Sequence, residues 1–319
     1  MRIIEAMVVA LLLAVLGSTP LWAAERIVTV AGARVRAAPG AGGELLAVLP
    51  FGTVVAERGR GEARQSIGDS EDYWYRIALP EGGEGWIFGA LTQPFEAHRA
   101  ARIYQELADA RLDRELAFAE QVELTNFLAR VAVEVMDPAA AGELSLAHLR
   151  SLRRSLDHIN VVDFQAREAP EYQQWLMELE SQGLLNYSEP SAEYLIPLAR
   201  IWELHDAFYP LPVSEPMAWF AVTNPWAGEC EGYLPCYLDI IDRTSGRYLK
   251  LHPEGEHAEA ALGNIASFLE PGVEFAMAAE DLPTLNRQLA VLEATIAQVP
   301  ASGDLPAQLA AFRQRHLEP

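Results

Sequence analysis

Two patterns of apolar spacing divide the chain near Pro94. Before it, short runs of β-branched and aromatic residues alternate with turn residues. Ile27-Val28-Thr29-Val30 reads as a strand, Gly32 as a turn and Arg34-Val35-Arg36 as an alternating strand, followed by a loop over Pro39-Gly40-Ala41-Gly42-Gly43. Residues 45–49, 53–57 and 73–79 continue the series, and Glu81-Gly82-Gly83-Glu84-Gly85 turns the chain into Trp86-Ile87-Phe88. About five or six short strands broken by such turns predict a small β-barrel over 25–93. After Pro94 the period lengthens. Tyr104, Leu107, Leu112, Leu116, Ala119, Leu124, Leu128, Val131 and Val135 recur at helical spacing until Asp137-Pro138, which predicts one long helix, a stalk, over 94–137. Further helices are expected over 145–156, 171–185, 192–208, 282–299 and 306–317, inside a helical domain spanning 138–319. The fold class is therefore α+β and multidomain, a barrel followed by a mainly α-helical domain.

The first residues add an address. Arg2 precedes an apolar run over 7–16, then small residues, and the chain reads Leu21-Trp22-Ala23-Ala24. A run of about ten apolar residues is half of what a membrane span needs, so residues 1–24 read as a secretory signal peptide cleaved after Ala23 or Ala24. The expected location is periplasmic or secreted, with no stable membrane insertion after cleavage. The net charge of −21 argues against nucleic acid and anionic lipid as partners, because both would repel it. Cys230 and Cys236 are the only cysteines, and in an exported chain the short loop between them, with Gly232 and Pro235, predicts a disulfide. Closing so short a loop contributes about 2 kcal/mol.

The order ARVRAAPG, LLAVLPFGTVV and DYWYRIALPEGGEGWIFGALT resembles the bacterial SH3 domain found in exported bacterial proteins. The matching positions are Val35-Arg36-Ala37-Ala38-Pro39, then 49–55, then 74–77, then Gly85-Trp86-Ile87. Ala33 departs from the usual start, and 58–72 is a longer charged loop than usual. The resemblance implies an SH3-like barrel with a shallow aromatic groove for cell-wall peptide or for a segment of an envelope protein. The candidate ligand-binding residues are Tyr73, Trp74, Tyr75 and Trp86. Strand alternation puts Tyr73 and Tyr75 on one face and Trp74 on the other, so one set fills the barrel and the other is available. Core packing is the alternative role for Trp86. With so acidic a chain, recognition is expected to rest on aromatic contact rather than charge.

No catalytic residues, cofactor or metal site are expected. The sequence has no Gly-x-Ser-x-Gly elbow and no phosphate-binding glycine loop. His252 and His257 flank Glu254 and Glu256, but a zinc hydrolase helix needs its histidines four apart, and Pro253 and Gly255 interrupt the helix here. That segment instead resembles the helix joint of tetratricopeptide-like repeats, in a single copy, where Gly255→Val costs stability if the turn requires a positive φ. Glu203, His205 and Asp206 are neighbours on a predicted helix whose side chains diverge, so they read as a solvated face. The expected function is a non-enzymatic envelope protein with a binding barrel and a helical scaffold; the alternative is an envelope hydrolase targeted by the barrel.

Overall fold

The computed structural model describes residues 24–317. The segment read as a signal peptide lies outside these, apart from Ala24. The chain divides into two compact units between Leu107 and Ala108.

The first unit is strand-rich. Its strands are β1 (Glu25–Val28), β2 (Ala33–Arg36), β3 (Leu45–Leu49), β4 (Val54–Arg60), β5 (Gln65–Ile67), β6 (Ser70–Asp72), β7 (Trp74–Ala78), β8 (Glu84–Phe88) and β9 (Thr92–Phe95). Seven of them make one sheet in the order β3-β2-β8-β7-β4-β1-β9, with every neighbouring pair antiparallel. Val28, Ala33, Val35, Leu49, Val55, Ile77 and Ile87 come from six different strands yet pack into one cluster, so the sheet wraps round a single small core. Alternation explains which residues go inside: Ala33 and Val35 are buried, and Arg34 and Arg36 between and beside them turn outward. Gly85 answers to close approach. A β-carbon there would stand 2.5 Å from Val35 Cγ1, so β8 can cross β2 only without a side chain at this position. The charged stretch read as a loop over 58–72 is largely a continuation of β4 and a two-stranded hairpin, β5–β6.

The second unit is helical, and the helix Ala100–Leu112 runs across the division into it. The single long helix expected over 94–137 is instead two helices, α1 (Ala100–Leu112) and α2 (Phe118–Glu134). The interruption follows from local capping: Ala117 N–H donates to the Glu120 carboxylate, starting α2 afresh, and the Arg114 carbonyl accepts from Arg154 Nη2 at 2.9 Å rather than from its own helix. Asp137-Pro138 then opens α3 (Pro138–Asn160), with Ala140 N–H donating to Asp137 Oδ1 at 2.8 Å and proline in the first turn. Its buried face runs Leu146, Leu149, Leu152, Leu156, Ile159, the three-and-four spacing of an amphipathic helix.

Beyond it come α4 (Pro170–Ser181), a small hairpin of β10 (Asn186–Ser188) and β11 (Glu193–Leu195), α5 (Leu198–Phe208) and α6 (Ser214–Val222). The helix expected to start at 192 begins only after Pro197, because Asn160 holds Tyr194 in extended form through both its N–H and its C=O. The rest comprises α7 (Leu234–Ile241), a π-helical stretch over Asp242–Gly246, α8 (Arg247–Leu251), α9 (Ala258–Leu269), α10 (Leu282–Ile296) and α11 (Leu305–Leu317). One apolar core runs from Leu146 on α3 to Leu317 on α11. Cys230 and Cys236 are disulfide-bonded, as the loop composition predicts.

Candidate functional site

In the strand-rich unit, β7 and β8 place Trp74 opposite Phe88 in register, with ring centroids 5.6 Å apart. Both are nearly fully buried and form the floor of a cleft of about 480 Å³. Ile67 and Ser70 of the β5–β6 hairpin line one side; residues 30–34 and Arg36 line the other. The hairpin also fixes the tryptophan, whose Nε1–H donates to Gln65 Oε1 at 2.9 Å. The long insertion therefore shapes the cleft rather than filling it. Arg34 and Arg36 are the only ionisable residues in the lining.

The four aromatic residues singled out from the sequence separate. Trp74 lines the cleft; Tyr73, Tyr75 and Trp86 do not. Tyr73 lies beneath the Arg60 guanidinium at 4.3 Å. Tyr75 packs against the barrel core and under the Arg26 guanidinium at 3.6 Å, and that arginine is held by Thr92 and Glu57. Trp86 is half-buried on β8, opposite Arg36 and Arg76. Phe88, Arg34 and Arg36 enter the lining instead. The alternation of Ala-Arg-Val-Arg was the signal for the arginines: if Val35 is core, both flanking side chains must face out.

The helical unit gathers a second polar constellation. His205 is fully buried, which corrects its reading as part of a solvated face; Glu203 and Asp206 remain exposed. His205 Nδ1 lies 2.8 Å from Asp206 Oδ1, and its Nε2 lies 2.9 Å from His252 Nε2. A carboxylate only accepts, so His205 Nδ1 carries the proton, and its bare Nε2 accepts from His252 Nε2–H. Burial lowers the pKa of both imidazoles, more than Asp206 raises that of His205. Burial alone would raise Asp206, but the His205 hydrogen bond and Arg247, 2.8 Å away, leave it below the ordinary carboxyl range.

Nearby in sequence, Glu215 Oε1 accepts from the Tyr248 hydroxyl, from the backbone N–H of His257 and from His257 Nδ1 at 2.9 Å. Burial pulls Glu215 upward and these hydrogen bonds outweigh it, so its pKa is lowered; burial and the Glu215 carboxylate push Tyr248 up. His257 stacks on Trp219 at 4.6 Å. Gly255 is not among the positive-φ glycines, so the turn does not require a positive φ there. It is a close-approach position: a β-carbon there would meet the Tyr248 hydroxyl at 2.5 Å. Glu215, Glu256 and His257 each bring one possible ligand atom within 4.8 Å of the others. The Glu215 oxygen already serves three donors.

Cleft size does not choose between the units, since a cleft of about 470 Å³ also opens beside Trp226 and Arg243 in the helical one. Comparison with known proteins distinguishes the two units by family. Residues 31–93 match the bacterial SH3 domain. The match takes in all of β2 to β8 and every lining residue of the barrel cleft except Val30. The region after this SH3 domain has no family match, and neither a curated protein nor a solved structure matches the chain.

Proposed function

We propose that this chain is an exported, non-enzymatic protein of the bacterial cell envelope. Its SH3 domain binds cell-wall peptide or a peptide segment of an envelope protein in the cleft over Trp74 and Phe88, and the helical unit serves as scaffold. The observation that carries this reading is the coincidence of the cleft with the matched domain. The Cys230–Cys236 disulfide supports an oxidising, extracytoplasmic setting. Among the described residues no helix is long and apolar enough to cross a membrane.

The test leaves the core intact and blocks the cleft. Ala90 is exposed and lines the cleft, so Ala90→Trp places an indole in it. Purified peptidoglycan and envelope extract should retain the full chain and lose about tenfold or more of Ala90→Trp, while the thermal midpoint stays within a few degrees. Equal retention of both proteins would move recognition elsewhere.

The hydrolase reading draws on one observation, the Asp206–His205–His252 chain with its shifted ionisation. It predicts soluble glycan or peptide fragments when the full chain is incubated with sacculi, lost in His252→Gln. The binding-module account predicts no release in either case.

A further inference from the structure

The sequence carries 45 acidic residues against 24 lysines and arginines, yet the lining of the barrel cleft contains two arginines and no acid. We propose that this cleft takes the carboxylate-bearing end of an extended peptide, with Arg34 and Arg36 pairing the carboxylate and the Trp74–Phe88 floor holding an apolar side chain. This deepens the binding-module reading and rests on it.

Three observations converge on that chemistry. The first is charge. Arg34 and Arg36 stand two apart on β2 with the core residue Val35 between them, so both guanidinium groups share the outer face. Neither forms an ion pair among the described residues; Arg36 Nη1 donates to the Gly43 carbonyl at 2.5 Å, and Arg34 is exposed. A guanidinium fork matches a carboxylate in two parallel hydrogen bonds, which an ammonium ion cannot offer. The second is backbone. β2 pairs with β3 along its whole length but with β8 at Arg36 only, so Ala33 and Arg34 run along the cleft with no strand register on that side. An extended peptide laid there can add to the sheet through its main chain. The third is the apolar floor beside the two charges, in a cleft whose volume lies in the range that ligand pockets occupy. A free anion would use only the arginines and a neutral apolar ligand only the floor. A peptide ending in a carboxylate uses both, with its main chain along β2.

The probe is the tripeptide acetyl-Ala-Leu-Ala, as free acid and as C-terminal amide, titrated calorimetrically into the full chain at low salt and at about 0.5 M salt. The free acid should bind about tenfold or more tightly than the amide at low salt and lose most of that advantage at high salt. Arg34→Gln should remove the preference for the acid, bringing the acid-to-amide ratio close to one. Because Arg34 is exposed, this variant should melt like the parent. Arg36→Gln is the second variant, read only for the acid-to-amide ratio, since it also frees the Gly43 carbonyl. Equal binding of acid and amide, unaffected by Arg34→Gln but lost in Ala90→Trp, would overturn the carboxylate inference and leave the cleft as the binding site. Failure of both peptides to bind the parent protein would overturn the inference, and equal retention of Ala90→Trp on peptidoglycan would overturn the binding-module reading beneath it.

Discussion

Gly255→Val should lower the thermal midpoint of the helical unit by roughly 10 °C. The cause is steric, because the added β-carbon would lie 2.5 Å from the Tyr248 hydroxyl and 3.1 Å from both Glu215 Cγ and His252 Cβ. Three segments close on this one point. Relief requires Tyr248 to withdraw, and Tyr248 is fully buried, with its hydroxyl bonded to Glu215. Overpacking costs about 1–3 kcal/mol, and a buried hydroxyl and carboxylate parted from each other cost a further ~1–3 kcal/mol. Gly263 supplies the internal control: it lies in α9 with nothing within 4 Å of its missing β-carbon, so Gly263→Ala should hold or raise the midpoint, by up to about 1 kcal/mol in helix propensity. Melting curves that rank the two variants alike would show that the joint is not close-packed.

Acid should destabilise the helical unit well before its carboxylates titrate. His148, His205, His252 and His316 all have folded pKa values below the ordinary 6.5, with burial the leading cause in each case and His148 pushed down to about 4. The unfolded chain therefore takes up protons first. Stability is complete above pH ~6.5 and is lost as pH falls from there toward the folded values. Below about pH 4.5 the lowered carboxylates Glu215 and Asp206 add a loss of the same sign, whereas Asp157, raised mainly by burial, opposes it. For His148 alone the loss by pH 4 is on the order of 2–3 kcal/mol, so thermal scans at pH 7.5 and 4.5 should differ by roughly 10 °C when all four histidines contribute. His148→Gln should flatten part of that slope between pH 6.5 and 4. A midpoint constant across this interval would mean that these imidazoles ionise as freely in the folded chain as in the unfolded one.

Much of the barrel was legible because its determinants are local. Glycine turns, the alternation of Ala33 to Arg36 and the run Gly85-Trp86-Ile87 each specify a strand within a few residues, and together they carry the resemblance that residues 31–93 bear out. The cleft was only half legible. Its aromatic floor comes from strands visible in sequence, but alternation separates Trp74 from Tyr73 and Tyr75 without saying which set meets the cleft; the β5–β6 hairpin and the arginines at 26 and 60 decide that. Overall acidity hides Arg34 and Arg36, since an average charge says nothing about a single face.

In the helical unit, periodicity located most helices and missed what joins them. His205 meets His252 across 47 positions, and Glu215 meets His257 across 42, distances over which neighbouring residues give no hint. The break between α1 and α2 was hidden for a different reason. Residues 113–117 contain neither glycine nor proline, and a side-chain cap at Glu120 decides the matter.

We place recognition in the barrel cleft, and hydrogen–deuterium exchange of the full chain with and without soluble peptidoglycan fragments is the measurement that locates it. Bound fragments should slow amide exchange in residues 30–36, along β2, and in residues 86–91, around Phe88, while 108–317 keep their free rates. Slowed exchange confined to 108–317, with the barrel unchanged, would contradict the account.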